Sequence, residues 1–335
     1  NTVRVYENGA IGVVGVLGNA DFNAMEQSAR QKLTQGIPYP ETHGKPVTIS
    51  VDSTKKILSD KEFISQISAL LERLARENPD FSFGNKAILN DTDKTYENSD
   101  GTLLHYKGNQ FICSLSIKHK GSANILDEFY GCESDYFDPD KICRDIKMQC
   151  DAFLNQLPQL SEDEAVIIGG FEPLQIAASH FFADAYFNKA SLFDDKLGQK
   201  LFNEKLNIVV DRSPERQLNL PFFDTEGVIN DGYANHLIKD GVLERLATCK
   251  KSAEQYSTDN LGSAAASYNG VPQAAINGVD VLNTAQSLSE LIKGKAVYMS
   301  YTSGGDMTSS GDLSLPSIVS YLYNNGKLVG KLPEF

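Results

Sequence analysis

The sequence predicts an α+β protein: a mixed N-terminal domain with helices on a sheet, then a strand-rich antiparallel C-terminal domain. Two patterns and one break carry that expectation. Up to about residue 160, capped amphipathic helices alternate with strand patterns, which places helices against a sheet. Beyond Gly198 the chain becomes short apolar runs punctuated by the turn pairs Asp231-Gly232, Asp240-Gly241 and Asn325-Gly326. Between the two regimes lies the polar stretch Gln159 to Glu164, so the expected domains are residues 1–160 and 161–335.

Taken in order, Thr2 to Leu17 reads as a hairpin turning at Asn8-Gly9. Asp21 then caps a helix carrying Phe22, Met25, Ala29 and Leu33 at helical spacing. Ser59 with Glu62 three residues on is a capping box, and the helix it opens stops before Pro79. From Phe81 to Ile117 strands are expected, punctuated by Asn98-Ser99-Asp100-Gly101 and Lys107-Gly108-Asn109. There Phe111, Cys113, Leu115 and Ile117 alternate with serines, as on a half-buried antiparallel strand. Asp138-Pro139 starts a helix through Ile142, Ile146 and Phe153. Ala165 to Ile168 reads as a buried strand, Pro173 begins a helix, and Thr284 to Lys293 is one further helix.

Composition narrows the function classes. With 335 residues, 41% apolar and 22% charged, the chain is an ordinary globular one. Its formal net charge of -13 argues against direct contact with nucleic acid or an anionic membrane, since phosphate binding needs a concentrated basic surface. The longest apolar run, Ala165 to Phe171, is too short to span a bilayer, and no signal peptide is legible. The chain opens on a strand without an initiating Met, as an ordered core trimmed from a longer chain would. Five cysteines, an odd count without a CxxC pair, predict reduced thiols in a cytoplasmic protein. Cys143 and Cys150 fall on the apolar stripe of a helix, which predicts core packing.

Several short elements stand in a fixed order along the chain. They are Tyr96-Glu97-Asn98-Ser99-Asp100-Gly101, Leu197-Gly198, Asn207 to Asp211, Phe223-Asp224-Thr225-Glu226-Gly227-Val228, and Lys239 to Leu243. Ser257-Thr258-Asp259-Asn260, Gly311-Asp312-Leu313-Ser314 and Asn324 to Gly330 complete the series. This conjunction resembles the TldD/PmbA family, also called the modulator-of-DNA-gyrase or peptidase U62 family. The resemblance implies a PmbA/TldD-like fold and a choice between two branches, one a zinc protease and the other without the metal motif.

In the protease branch the helix after the buried strand carries His-Glu-x-x-x-His. Here that stretch is Gln175-Ile176-Ala177-Ala178-Ser179-His180, so only His180 matches. The branch's further ligand, a cysteine near the extreme C-terminus, lies beyond where this chain ends. The resemblance therefore implies a PmbA/TldE-like subunit with a vestigial motif and no metal of its own, zinc being expected only in the partner. The implied partners are a TldD-type zinc protease subunit or a second copy of this chain, with unfolded or flexible peptides as substrates.

Other residues keep alternatives open. Asp224 and Glu226 alternate about Thr225, so a strand would turn both carboxylates to one side for acid–base work, while the same residues also suit a turn before Gly227. His180 with Asp184, followed by Asp194-Asp195, is the other acidic grouping. The small residues Gly262, Ser263 and Ala264 fit either a packed core strand or an edge on which an extended peptide pairs. Besides the subunit reading, the sequence permits a non-proteolytic homodimeric binding protein, or an enzyme of altered chemistry using His180, Asp224 and Glu226. No Gly-x-Ser-x-Gly elbow accompanies Ser257, Ser263 or Ser267, and Ser303-Gly304-Gly305 lacks the Lys and helix of a phosphate loop.

Overall fold

A computed structural model describes residues 1–160, 165–168, 172–308 and 310–334. In chain order the elements begin with β1 (Thr2–Glu7), β2 (Ala10–Gly15), α1 (Phe22–Lys32), β3 (Val47–Asp52) and α2 (Asp60–Glu77). Next come β4 (Phe81–Glu97), β5 (Thr102–His119), β6 (Glu128–Ser134), α3 (Pro139–Leu154), β7 (Ala165–Ile168), α4 (Glu172–Ala177) and α5 (Ala183–Phe187). They continue with β8 (Ile208–Asp211), β9 (Ala234–Lys239), β10 (Val242–Leu243), α6 (Lys250–Tyr256), β11 (Ala264–Ala265), β12 (Gln273–Ala274) and β13 (Val279–Val281). The last are α7 (Leu288–Leu291), β14 (Lys295–Thr302), β15 (Asp306–Met307), β16 (Leu313–Ser314), β17 (Ser317–Asn324) and β18 (Lys327–Leu332). The α+β expectation holds.

Local chemistry sets most of these boundaries. The Asp21 carboxylate accepts the amides of Asn23 and Ala24 and starts α1. Ser59 and Glu62 form a reciprocal capping box on α2. Asp138 caps α3, with Pro139 in its first turn, where a missing N–H costs nothing. The hairpin pairs Asn8-Gly9, Asp240-Gly241 and Asn325-Gly326 all have positive φ at both residues, as two-residue turns between twisted strands require.

The chain gathers into two compact units, each built from three separate stretches: 1–53, 93–107 and 178–282, and 54–92, 108–177 and 283–335. This partition differs from consecutive domains cut at residue 160, and residues 161–164 of that expected boundary lie outside the described residues. The physical reason is long-range pairing. In the second unit β7 runs parallel to β14, pairing Ala165 with Ala296, inside the order β18-β17-β14-β7. The main core of that unit packs Leu70, Leu74, Phe111, Ile117 and Ile146 with Val319 and Tyr321. Residues from before and after the 178–282 stretch thus complete one hydrophobic interior. In the first unit β10-β9-β8-β13 form an antiparallel sheet, and β3 lies parallel to residues 102–107 of β5.

Two expectations are corrected. The pattern at Lys107-Gly108-Asn109 predicted a break, yet β5 runs unbroken from Thr102 to His119, its buried set passing from the even positions Thr102 to Gly108 to the odd positions Phe111 to Ile117 across Asn109-Gln110. The helix predicted over residues 284–293 is only the single turn α7, since Leu288 and Leu291 stay exposed and find no core to pay for more helix.

Candidate functional site

Three of the sequence elements converge on one polar cavity of about 530 Å³ in the first unit. Tyr96 and Asn98 come from the tip of the β4–β5 hairpin, Glu226 to Val228 from a loop, and Thr258 and Asn260 from the turn after α6. Thr42, His43, Gly44 and Lys250 complete much of the wall.

Each element is rigid for its own reason. In the hairpin tip, Asn98 Oδ1 accepts the amides of Asp100 and Thr102. Asp100 in turn accepts the Gly44 amide at 2.9 Å and meets His43 Nδ1 at 3.0 Å, which ties the residue 42–44 loop to the tip. These contacts hold the half-buried Asp100 carboxyl below its ordinary range, the Gly44 amide contributing most. After α6, Ser257 takes a left-handed conformation, and Asn260 Oδ1 caps the Gly262 amide at 3.0 Å.

Asp224 organises the central loop. Its Oδ1 accepts the amides of Glu226 (2.8 Å) and Val228 (3.0 Å), while Oδ2 accepts that of Ala264 (3.0 Å). The buried carboxylate therefore folds a turn, and no strand presents it beside Glu226 to a common side. Burial pushes its pKa up against the pull of these amides and of the Arg212 guanidinium. Gly227 is demanded twice over. Its φ is +73°, and a Cβ there would stand 2.2 Å from Cε1 of Tyr96.

Glu226 is the chemically distinctive group. It is only 2% exposed yet lines the cavity, where Oε1 accepts the Tyr39 hydroxyl and Oε2 accepts the Lys250 amide at 2.9 Å. Burial first, then the Asp224 charge, raise its pKa, and the Lys250 amide and Tyr39 hydroxyl only partly offset them. Burial and the neighbouring Glu226 likewise drive the Tyr39 hydroxyl far above the usual phenol range. A carboxyl whose pKa is raised by burial and that lines a cavity is a group with the chemistry for proton exchange.

The other expected site residues lie elsewhere. His180 sits in a 3-10 turn (Ala178–Phe181), where its Nδ1 accepts the Leu192 amide at 3.2 Å and its ring meets Phe193 edge-on. It does not line the cavity, so His180, Asp224 and Glu226 do not converge as the altered-chemistry reading required. Asp194 and Asp195 pair with Lys189, and Asp184 faces the Tyr256 hydroxyl. Gln175 is exposed on α4, and the side chain of Ile176 lies outside the described residues. A metal does not fit this stretch: Gln175 is a poor zinc ligand and the Nδ1 lone pair of His180 is taken. Among the described residues, no group of three or more His, Cys, Asp or Glu side chains stands close enough to hold a metal ion.

Gly262, Ser263 and Ala264 are buried, and their backbone groups are engaged. Ser263 N–H donates to Thr248 O, its carbonyl accepts from Ala275, and Ala264 pairs with Asp224 and Thr225. Gly311-Asp312-Leu313-Ser314 forms a small β15–β16 turn in the second unit, with Asp312 accepting Ser310 Oγ at 2.7 Å. Sequence reasoning missed Tyr39 and Lys250. A tyrosine locked between Pro38 and Pro40 was the available signal for the first, whereas Lys250 acts through its backbone and left none.

Comparison with known proteins agrees with this picture. Residues 173–335 match the family model of the PmbA/TldA metallopeptidase C-terminal domain. The metalloprotease MJ0996 of Methanocaldococcus jannaschii is 23% identical over 155 residues, which are 45% of this chain and 34% of that protein. The match thus spans about a third of that relative's length. The crystal structure of TldE from Thermococcus kodakarensis shares the fold with a TM-score of 0.81 at 14% identity, covering 98% of this chain and 79% of that one. A modulator of a DNA gyrase from Thermotoga maritima follows with a TM-score of 0.76 at 16% identity, covering 99% and 79%. Residues 173–335 thus match the PmbA/TldA metallopeptidase C-terminal domain, and the chain shares its fold along nearly its whole length with TldE and modulator-of-DNA-gyrase structures.

Proposed function

We propose that this chain is a PmbA/TldE-like, metal-free subunit of a TldD/TldE-type zinc metalloprotease complex that acts on unfolded or flexible peptides. The observation that carries the reading is Gln175-Ile176 in place of the His-Glu pair, with the remaining His180 lone pair spent on the Leu192 amide. The fold likeness to a TldE protein and the metallopeptidase domain match support it. Zinc and the general base then come from a TldD-type partner, and this chain helps shape the chamber that admits the peptide. The acidic balance and the absence, among the described residues, of a helix long and apolar enough to cross a membrane fit a cytoplasmic chain handling peptide rather than nucleic acid or lipid.

The test is co-purification with the TldD-type protein of the same organism, with zinc content and peptidase activity measured on each fraction. A zinc-free, inactive chain that joins an active, zinc-bearing complex is the expected result. Stoichiometric metal or peptide cleavage in the isolated chain would overturn it, and a stable homodimer indifferent to the partner would favour the binding-protein alternative.

A further inference from the structure

We propose that Cys132 and Cys113 form an oxidation site in which a hydroperoxide converts the facing thiols of β6 and β5 into a reversible cross-strand disulfide. The two residues are direct partners in the antiparallel register, flanked by Ile112 opposite Glu133 and Ser114 opposite Gly131. Directly opposed residues of an antiparallel pair have Cα atoms about 4.5 or 5.5 Å apart, according to their place in the ladder, and both values lie within the span a disulfide bridges. Their Cβ atoms, about 4.5–5.5 Å apart before bonding, must draw together to roughly 3.8 Å. The bond is thereby strained, and a strained disulfide is readily reduced, which suits a switch better than a staple.

The pair is asymmetric in a useful way. Cys113 is 1% exposed and packs in the main core, whereas Cys132 alone among the five cysteines is only half-buried. The facing Cys113 thiol holds Cys132 below the ordinary thiol range, with Tyr130 and Lys141 assisting. Burial keeps Cys143 above the ordinary range and pushes Cys150 up to about 12. The accessible thiolate and its resolving partner are thus one and the same contact.

The chemistry balances. With hydrogen peroxide as the hydroperoxide, the Cys132 thiolate attacks one oxygen; an S–O bond forms, the O–O bond breaks, and the departing hydroxide is protonated to water. Cys113 sulfur then attacks the Cys132 sulfenic acid; the S–S bond forms, the S–O bond breaks, and the departing hydroxide takes the Cys113 proton as a second water. Two thiols are oxidised and one peroxide is reduced.

The experiment treats the full chain with hydrogen peroxide and follows its intact mass, free thiols and peptide map. Expected are a loss of two hydrogen masses, a fall of two in the five free thiols, a Cys113–Cys132 linked peptide, and full reversal by dithiothreitol. With Cys113→Ser, dimedone should trap a sulfenic acid at Cys132; with Cys132→Ser, neither adduct nor link should appear, and circular dichroism of each variant checks that it folds. Retention of all thiols, first oxidation at Cys143, Cys150 or Cys249, or links only between chains would overturn the proposal.

Discussion

Replacing Asp224 by Ala tests whether one buried carboxylate holds the cavity together. It removes the acceptor of three backbone amides, those of Glu226, Val228 and Ala264, at 2.8, 3.0 and 3.0 Å. An unsatisfied buried donor costs about 1–3 kcal/mol, so three of them, eased by some entry of water, cost about 3–5 kcal/mol. That is a large part of the roughly 5–15 kcal/mol by which a domain is stable. Scanning calorimetry of the full chain should show the transition falling by on the order of 10 °C. Asp224→Asn keeps an oxygen for two of the amides and turns its NH2 toward the third, so its loss should be smaller, about 1–2 kcal/mol. If Asp224→Ala costs under about 1 kcal/mol, or if Asn is worse than Ala, the amide-satisfying role assigned to this carboxylate is refuted.

Gly227→Ala should destabilise by about 2–4 kcal/mol, through its left-handed φ and a methyl group driven into the Tyr96 ring. Adding Tyr96→Ala should recover only the steric part, and strict additivity in that double-mutant cycle would show that the two residues do not touch. For Glu226 the sign follows from its raised pKa. The folded chain holds a proton that the unfolded chain releases near pH 4.3, so stability falls as pH rises from there through the folded pKa. Glu226→Gln has no proton to lose, so in thermal melts across pH it should gain on the wild type through that window and match it most closely below it. An unchanged pH profile in the variant would assign the slope to another group.

The sequence made the local decisions legible and left the distant ones unreadable. Asp21, Ser59 with Glu62, Asp138-Pro139 and the Asn-Gly and Asp-Gly turns act within four residues, and each does in the fold what its chemistry requires. The partition of the chain rests instead on contacts such as Ala165 with Ala296, which no window of sequence contains. Glu226 shows the same divide. Its place after an Asx-type turn follows from Asp224 two residues earlier, but Tyr39, 187 positions away, and the amide that opens α6 decide its electrostatics.

That divide also explains why ordered motifs and a failed metal motif coexist in one chain. On the proposed reading, a metal site goes with the side chains that bind it, and Gln175 and the engaged His180 are poor material for one. The elements around the cavity are different in kind: Asn98, Asp100, Asp224 and Asn260 all spend their side chains on backbone amides. Removing catalysis would relax the first set while leaving the second under the cost of unsatisfied donors, greatest for the buried amides that Asp224 satisfies. Glu226 also accepts the Lys250 amide, but of these residues it is the buried carboxylate that lines the cavity, which makes it the place to look for a role beyond architecture.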